Sequence, residues 1–319
     1  MEHRDGGGRD PITTGHAPPR GLNPAGTIAR EGSPDRVPPP FAPVVAALRE
    51  EFDGRFGGGR GLHGLYLYGS VPRGTARPGV SDLDALVLLD REPTARDRAD
   101  AADLAAALDA AHPAVDGVGV LLHSAAEAMS DLERYDLGFF VACLCTPLLG
   151  EDLGARLPAY RPTSLLARET NGDLARVLPR WRTLERETAG CETAAAGAER
   201  AALVRRVARR IVRTGFTLVM PRWGGWTSDL ELSAELFGHW YPERAGQMRR
   251  LAAVGLNGPP GVAEVAGGED VLRPALDDLG PWLAAEYTAR HGTRRCPADQ
   301  GRSGRGVWCG GSQGAGMPS

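Results

Sequence analysis

The pattern of apolar and polar positions divides the chain into an alternating N-terminal part and a helical C-terminal part. Short apolar runs predict three β-strands, at residues 65–68, 82–89 and 115–122. Helical periodicity predicts helices at residues 43–52 and 94–111 and throughout residues 162–290, most clearly at 201–220. The alternation of strands and helices predicts an α/β domain that is followed by helices.

The helix predicted at 201–220 carries an apolar stripe, and arginines occupy much of its remaining surface. We expect these arginines to form a solvated face and not a nucleic-acid patch; they are Arg205, Arg206, Arg209, Arg210 and Arg213.

Composition sets the predicted domain boundaries. Residues 1–40 are rich in Gly, Pro and Arg and contain too little apolar surface to offset the entropy of ordering, so we expect a disordered extension there. The stretch 292–319 has a similar composition and is expected to be a disordered tail. Between them we predict an α/β domain at 41–160 and a helical, substrate-binding domain at 161–291.

Charge, cysteines and hydropathy exclude several classes of function. The net charge is −3, which gives no argument for a nucleic-acid partner, and no apolar run has the roughly 20 residues that span a membrane. The first residues lack the apolar segment of a secretion signal, and the five cysteines show no C-x-x-C spacing, so we expect a reduced, cytoplasmic protein. All 37 basic residues are arginine, which excludes a P-loop and a lysyl intermediate.

The sequence places a candidate phosphate-binding turn after the first strand. The apolar run 65–68 leads into Gly69-Ser70, followed by Arg73 and Gly74. Glycine allows a sharp turn and a close approach of the backbone to a ligand. If a helix starts at Ser70, its free amides favour an anion, and the hydroxyl adds a hydrogen bond.

Two carboxylates begin the second predicted strand. Because side chains alternate along a strand, Asp82 and Asp84 point to one face and Leu83 to the other. Adjacent carboxylates repel each other unless a cation lies between them, and Mg²⁺ prefers hard oxygen ligands and substrate phosphates. Phosphate-binding amides beside such a pair indicate metal-assisted phosphoryl-type transfer.

The run Leu-Tyr-Gly-Ser…Ser-Asp-Leu-Asp at 67–84 resembles the signature of the DNA polymerase beta-type nucleotidyltransferases. More narrowly, it is similar to the aminoglycoside (streptomycin/spectinomycin) nucleotidyltransferases. The stretches 213–218 and 226–230 are similar to the helical C-terminal domain of those enzymes, and the resemblance spans about residues 45–255. It implies an α/β fold: a nucleotidyltransferase domain with a small mixed sheet, then an all-helical domain, with the active site in the cleft between them.

The resemblance also implies roles for single residues. Asp82 and Asp84 would bind Mg²⁺, while Gly69, Ser70 and Arg73 would hold the triphosphate. Family members use a third acid from a neighbouring strand, and Asp116 is the only acid in the run 115–122. Asp116 is therefore either a third metal ligand or base, or a residue of an Asp-Gly turn before the strand.

Asp229 also carries two interpretations. In the enzymes that the chain resembles, acids near this position contact the cationic antibiotic or help the nucleotide site. Alternatively, Ser228 and Glu231 form a capping box, and Asp229 lies in the first turn of the helix, where its charge favours the helix dipole.

We therefore predict a magnesium-dependent nucleotidyltransferase that transfers a nucleoside monophosphate, AMP from ATP, to a hydroxyl of a small molecule such as an aminoglycoside. The expected partners are a nucleoside triphosphate and a small-molecule acceptor, with neither nucleic acid nor membrane. Two alternatives are a protein-adenylylating antitoxin, which the long helical region opposes, and a catalytically inactive nucleotide-binding relative.

Overall fold

A computed structural model of the chain describes residues 20–188, 194–257 and 271–294. Its single sheet has four strands: β1 (Leu62–Tyr68), β2 (Leu83–Leu89), β3 (Val118–Ser124) and β4 (Thr146–Gly150). Their order is β3-β2-β1-β4. β1 is antiparallel to β2 and to β4, whereas β2 and β3 are parallel. The predicted small mixed sheet is confirmed.

Helices flank the sheet and make up most of the C-terminal part of the described chain. Those of the N-terminal part are α1 (Ala42–Phe56), α2 (Ser70–Arg73), α3 (Ala95–Ala111), α4 (Ala125–Ala128) and α5 (Leu137–Phe139). Those of the C-terminal part are α6 (Ser164–Asn171), α7 (Leu174–Thr188), α8 (Ala194–Trp223), α9 (Leu230–Trp240), α10 (Ala245–Asn257), α11 (Leu272–Pro274) and α12 (Gly280–His291). The α/β class with a helical C-terminal part is thus confirmed.

The central strand β2 separates two hydrophobic clusters. Leu83 and the alternate residues after it lie in the cluster that α1 and α3 cover. Leu86 and Leu88 point to the opposite face and pack with Tyr66 and Tyr68 of β1. Alternation puts Asp84 on this second face, at the end of the strand next to the helical part.

Two features of the sheet differ from the sequence prediction. β3 begins at Val118 instead of residue 115, because its pairing starts only where Val118 lies opposite Leu83, the first residue of β2. β4 was not predicted, since Pro147 interrupts a short apolar run. Proline is tolerated there because β4 is an edge strand.

The helical part is built around the long helix α8. Val207, Ile211 and Leu218 are buried in a core that α6, α7, α9, α10 and α12 complete. Trp223 and Trp226 belong to the same core. Within the described ranges, no helix is both long and apolar enough to cross a membrane.

The expectation of a disordered extension up to residue 40 is wrong for residues 20–40. This segment packs along both parts of the protein: Ile28 is buried, and its amide donates to Tyr160 O at 2.8 Å. The amide of Ser33 donates to Pro72 O at 2.9 Å. Composition gave the wrong prediction of disorder because backbone hydrogen bonds and a few buried side chains hold the segment. It contains no helix or strand with a periodic pattern that the sequence could reveal. Residues 1–19 lie outside the described residues.

The predicted tail also begins later than expected. Arg294 Nη2 lies 2.5 Å from Asp136 Oδ2 and 3.5 Å from Glu133 Oε2, so residues 292–294 are held against the N-terminal part. The rest of the predicted tail, from residue 295, lies outside the described part of the chain.

Candidate active site

The turn after β1 has the shape that the sequence predicts. Gly69 has φ 82°, a value that side chains other than glycine rarely adopt, and α2 begins directly after it at Ser70. A Cβ atom at residue 69 would lie 2.7 Å from Asp84 Oδ2. Glycine is therefore needed both for the backbone angle and for the close approach of the Asp84 carboxylate.

Asp82 and Asp84 lie side by side at the start of β2. Leu83 between them is fully buried on the other face, as alternation requires. Neither carboxylate has a hydrogen bond or ion pair with any residue that the structure describes. The pair therefore projects, without a direct partner, toward the helical part.

The electrostatics of this pair favour a cation. Burial and then the charge of Asp82 raise the pKa of Asp84 to about 7. Burial also raises the pKa of Asp82, and the charge of Asp116 adds to this effect. Both shifts show that negative charge is costly here, and a bound cation would lower that cost. The donor chemistry of the pair fits Mg²⁺, which binds through one or two carboxylates and completes its shell with water and phosphate oxygens.

The site has two close carboxylates and a more distant third. Among residues 20–188, 194–257 and 271–294, no three His, Cys, Asp or Glu side chains are arranged to hold a metal ion. Asp116 is exposed and precedes β3, and its amide donates to Ser81 O at 3.2 Å. In the pairing of β2 with β3, Gly119 lies opposite Asp84. Asp116 thus neighbours Asp82 from a turn, and the predicted position on the strand is wrong.

Arginines of α8 face the carboxylate pair. Arg205, Arg209 and Arg213 are spaced by one helical turn, and the charges of Arg209 and Arg213 lower the pKa of Asp84 against the effect of burial. Burial in turn lowers the pKa of Arg213 to about 10. Arg209 is fixed by a hydrogen bond from Nε to Gly255 O, 2.7 Å long. The expected solvated face is therefore wrong for Arg209 and Arg213.

Arg210, which the same expectation included, is buried and paired with Asp173 on another face of α8. The sequence did not distinguish Arg210 from Arg209 and Arg213, because periodicity identifies the apolar stripe of a helix but not what its polar side chains contact. The available signal was the four-residue spacing of three arginines along one flank of the stripe.

Arg73 approaches the carboxylate pair from α2. Its charge also lowers the pKa of Asp84. Arg73 Nη1 lies 3.7 Å from Glu31 Oε2, and Nε is buried without a hydrogen-bond partner among the described residues. The guanidinium thus retains a donor that no described residue uses.

Asp229 is the N-cap of α9, where its Oδ1 accepts a hydrogen bond from Leu232 N at 2.8 Å. The predicted capping box at Ser228 is wrong by one residue. Asp229 is exposed, and the next residue, Leu230, packs at Gly255, whose carbonyl oxygen binds Arg209. Capping is therefore observed, and the residue after the cap packs at Gly255 beside Arg209.

The chain is similar to a protein family over one segment and to a solved structure over most of its length. Residues 46–116 match the nucleotidyltransferase domain family. No curated protein sequence matches the chain. Among solved structures, the spectinomycin adenyltransferase AAD(9) from Enterococcus faecialis, with ATP and spectinomycin, aligns with a TM-score of 0.45 and 12% identity, covering 77% of this chain and 98% of that chain.

The matched segment contains six of the seven predicted site residues: Gly69, Ser70, Arg73, Asp82, Asp84 and Asp116. Asp116 is its last residue, and Asp229 lies outside it. The chain therefore contains a nucleotidyltransferase domain, which residues 46–116 define.

Proposed function

We propose that the protein transfers a nucleoside monophosphate, AMP from ATP, to a hydroxyl group of a small molecule, with Mg²⁺ as cofactor. One observation carries the proposal: Asp82 and Asp84, without direct partners, face Arg209 and Arg213 across the cleft. A triphosphate with a bound metal ion carries negative charge, which the arginines would neutralise, and positive charge, which the carboxylates would neutralise.

The arginines supply the anion-binding side of the proposed site. Arg209 and Arg213 would donate charge-assisted hydrogen bonds to phosphate oxygens from α8, and Arg73 would do so from α2. Ser70 lies at the start of α2, where its amide and hydroxyl can reach a phosphate oxygen. The absence of a side chain at Gly69 lets the Asp84 carboxylate lie against the turn that would hold the phosphates.

In the proposed reaction, the acceptor's hydroxyl oxygen forms a bond to the α-phosphorus, and the bond from that phosphorus to the oxygen bridging to the β-phosphate breaks. Pyrophosphate leaves with the bonding electrons. Asp116, the nearest further carboxylate, would accept the hydroxyl proton. Mg²⁺ held by Asp82 and Asp84 would supply charge stabilisation for the triphosphate and the attacking oxygen.

The sequence resemblance favours an aminoglycoside or aminocyclitol acceptor. These compounds are polycations, and carboxylates near the site would raise both their affinity and their rate of encounter. Asp229 is exposed beside the arginine side of the cleft, and Glu231 and Glu235 are exposed one turn apart on α9. Asp229 and Glu231 lie two residues apart and do not share a face of α9, so only part of this set could contact one acceptor.

The test is a mass-spectrometric assay with Mg²⁺, ATP and a panel that includes streptomycin and spectinomycin. We expect the mass of AMP on one acceptor and one pyrophosphate per product. Asp84→Asn should abolish transfer, because it removes a charged oxygen ligand at constant volume. Asp90→Asn is the matched control: Asp90 follows the other end of β2, is exposed and contacts His63. Full transfer by Asp84→Asn would overturn the proposed role of the pair.

A second candidate is an inactive nucleotide-binding relative, favoured by Gly119 opposite Asp84 and by the exposed position of Asp116. This candidate predicts that ATP binds but that no modified acceptor and no pyrophosphate is produced. Isothermal titration with ATP, run beside the transfer assay, separates the two.

A further inference from the structure

Glu31 connects the two sides of the cleft through its carboxylate. Oε1 accepts a hydrogen bond from Trp226 Nε1 at 3.0 Å, and Oε2 lies 3.7 Å from Arg73 Nη1. The backbone amide of Glu31 donates to Cys143 O at 2.9 Å. The side chain is only 16% exposed. The carboxylate is thus fixed by the backbone and by the indole, and it reaches Arg73 from this fixed position.

The segment around Glu31 lies directly on α2, which carries Arg73. Ser33 N donates to Pro72 O at 2.9 Å, and a Cβ at residue 32 would come within 2.9 Å of the Pro72 Cβ. At the other end of α2, a Cβ at residue 74 would lie 3.0 Å from Arg36 O. Two glycines therefore permit this close contact, so the segment limits how α2 can move.

Trp226, which donates a hydrogen bond to Glu31, is itself packed in the core of the helical part. Its ring packs edge-on against Phe139 at 4.8 Å and against Phe216 at 5.7 Å between centroids. Phe216 lies three residues after Arg213 on α8 and is therefore its neighbour along the helix. A chain of contacts thus links Arg73 on α2 to the arginine-bearing helix through Glu31.

We propose that Glu31 is a positioning residue for nucleotide binding: it holds the Arg73 guanidinium at the carboxylate pair so that the exposed part of the guanidinium meets a phosphate. The inference rests on the proposed function. It assigns a part of the nucleotide site to a segment that lies outside the matched domain, residues 46–116. The Arg73 side chain is 30% exposed, which leaves part of the guanidinium accessible to a phosphate, and its buried Nε has no partner among the described residues.

The direction in which Glu31→Gln changes the Kd for ATP distinguishes a positioning role of Glu31 from a purely electrostatic one. ATP is an anion, so removing the negative charge of Glu31 would tighten ATP binding if Glu31 acted only through its field. If Glu31 holds Arg73 in place, the same change weakens ATP binding, because Arg73 must then be ordered on binding. The two roles predict opposite shifts in Kd.

The experiment measures ATP and inorganic tripolyphosphate binding by titration calorimetry for the full chain and its Glu31→Gln variant. Glutamine keeps an oxygen for the Trp226 indole and removes the charge that faces Arg73. We expect Kd to rise about three- to fivefold for both ligands, the upper range for a partly exposed ion pair. In an Arg73→Gln background, Glu31→Gln should no longer raise Kd.

Arg30→Gln is the matched control. Arg30 precedes Glu31 and pairs with Asp152 at 2.8 and 3.0 Å, away from Arg73. It should lower the melting temperature and leave Kd unchanged. Trp226→Phe, which removes the indole donor but keeps a ring in the core, should raise Kd as Glu31→Gln does and serves if Glu31→Gln fails to fold.

The outcomes are distinguishable. If the wild-type chain binds neither ligand, the proposed function fails, and the inference fails with it. If the wild-type chain binds ATP while Glu31→Gln binds equally well or more tightly, the inference alone is overturned. It is also overturned if Glu31→Gln still weakens binding in the Arg73→Gln background.

Discussion

At the scale of single residues, the site separates into groups that local sequence identifies and groups that only tertiary structure identifies. Asp82, Asp84 and Gly69 could be predicted because strand alternation and a required turn act over a few residues. Arg209 and Arg213 could not, because their partners lie about 130 residues away in the chain. A helical pattern identifies the polar flank of a helix, but it does not show whether that flank faces solvent or acidic side chains.

Arg213 gives the sharpest prediction at this scale. Arg213→Gln should raise the Kd for ATP about tenfold or more, because a hydrogen bond to a charged group contributes roughly 1.5–3 kcal/mol. It should not unfold the protein, since burial of this charge already lowers its pKa to about 10 and is therefore unfavourable. Titration calorimetry and thermal melting measure the two effects.

Arg222→Gln is the control for that variant. Arg222 is on the same helix but is exposed and lies over the ring of Trp240 at 5.6 Å. If both variants weaken ATP binding equally, the assignment of Arg213 to the phosphates is wrong.

At the scale of elements, the sequence predicted the elements with periodic patterns and missed those without one. α1, α3 and the strands β1 and β2 lie where hydrophobic periodicity placed them, within a few residues. The edge strand β4 and the segment before α1 were missed. Both depend on neighbours that are distant in sequence: β4 needs β1 as a pairing partner, and Ile28 needs Tyr160.

The segment before α1 should therefore matter for stability. Deletion of residues 1–40 should lower the melting temperature by at least about 3 °C, because burial of Ile28 alone contributes roughly 1.5–3 kcal/mol and each kcal/mol shifts Tm by about 2–4 °C. Differential scanning calorimetry measures the shift. Deletion of residues 1–19 alone keeps every described contact of the segment and is the control. Equal melting temperatures for all three chains would mean that the segment contributes no stability.

His291, the last residue of α12, should make stability pH-dependent. Its Nε2 lies 2.9 Å from Leu218 O and its Nδ1 3.1 Å from Ser164 Oγ, so the neutral ring satisfies both neighbours. Burial lowers the pKa of His291 from 6.5. The unfolded chain then binds the proton more readily than the folded one, so this contribution is complete above pH 6.5 and is lost as the pH falls below it.

Urea unfolding between pH 5 and 8 measures this dependence. His291→Gln keeps a donor for Leu218 O and an acceptor for Ser164, so it should flatten the slope below pH 6.5. The exposed His239 on α9 provides the control, since His239→Gln should leave the slope as in the wild type. An unchanged slope in His291→Gln would assign the dependence to other groups.

At the scale of the whole molecule, the two predicted domains share a core. Phe139 and Tyr160 of the N-terminal part pack with each other at 5.3 Å, and Phe139 also packs with Trp226 of the helical part. Arg294, after α12, is paired with Asp136 across the same boundary. The two parts are therefore joined through buried rings and an ion pair, which fix α8 relative to the carboxylate pair.

The shared core predicts a single cooperative unfolding transition that ATP shifts upward. Circular dichroism, which follows the helices of both parts, and tryptophan fluorescence, which follows the helical part, should give the same midpoint, because Phe139 and Tyr160 of the N-terminal part belong to the core of the helical part. With Mg²⁺ present, ATP at a hundredfold its Kd should stabilise the folded state by about 2.7 kcal/mol and raise the midpoint by roughly 5 °C. Asp84→Asn should reduce this shift, because a carboxylate that faces the metal-bound nucleotide is lost. Two separate midpoints would show that the parts unfold independently, in which case α8 would not be rigidly held over Asp82 and Asp84.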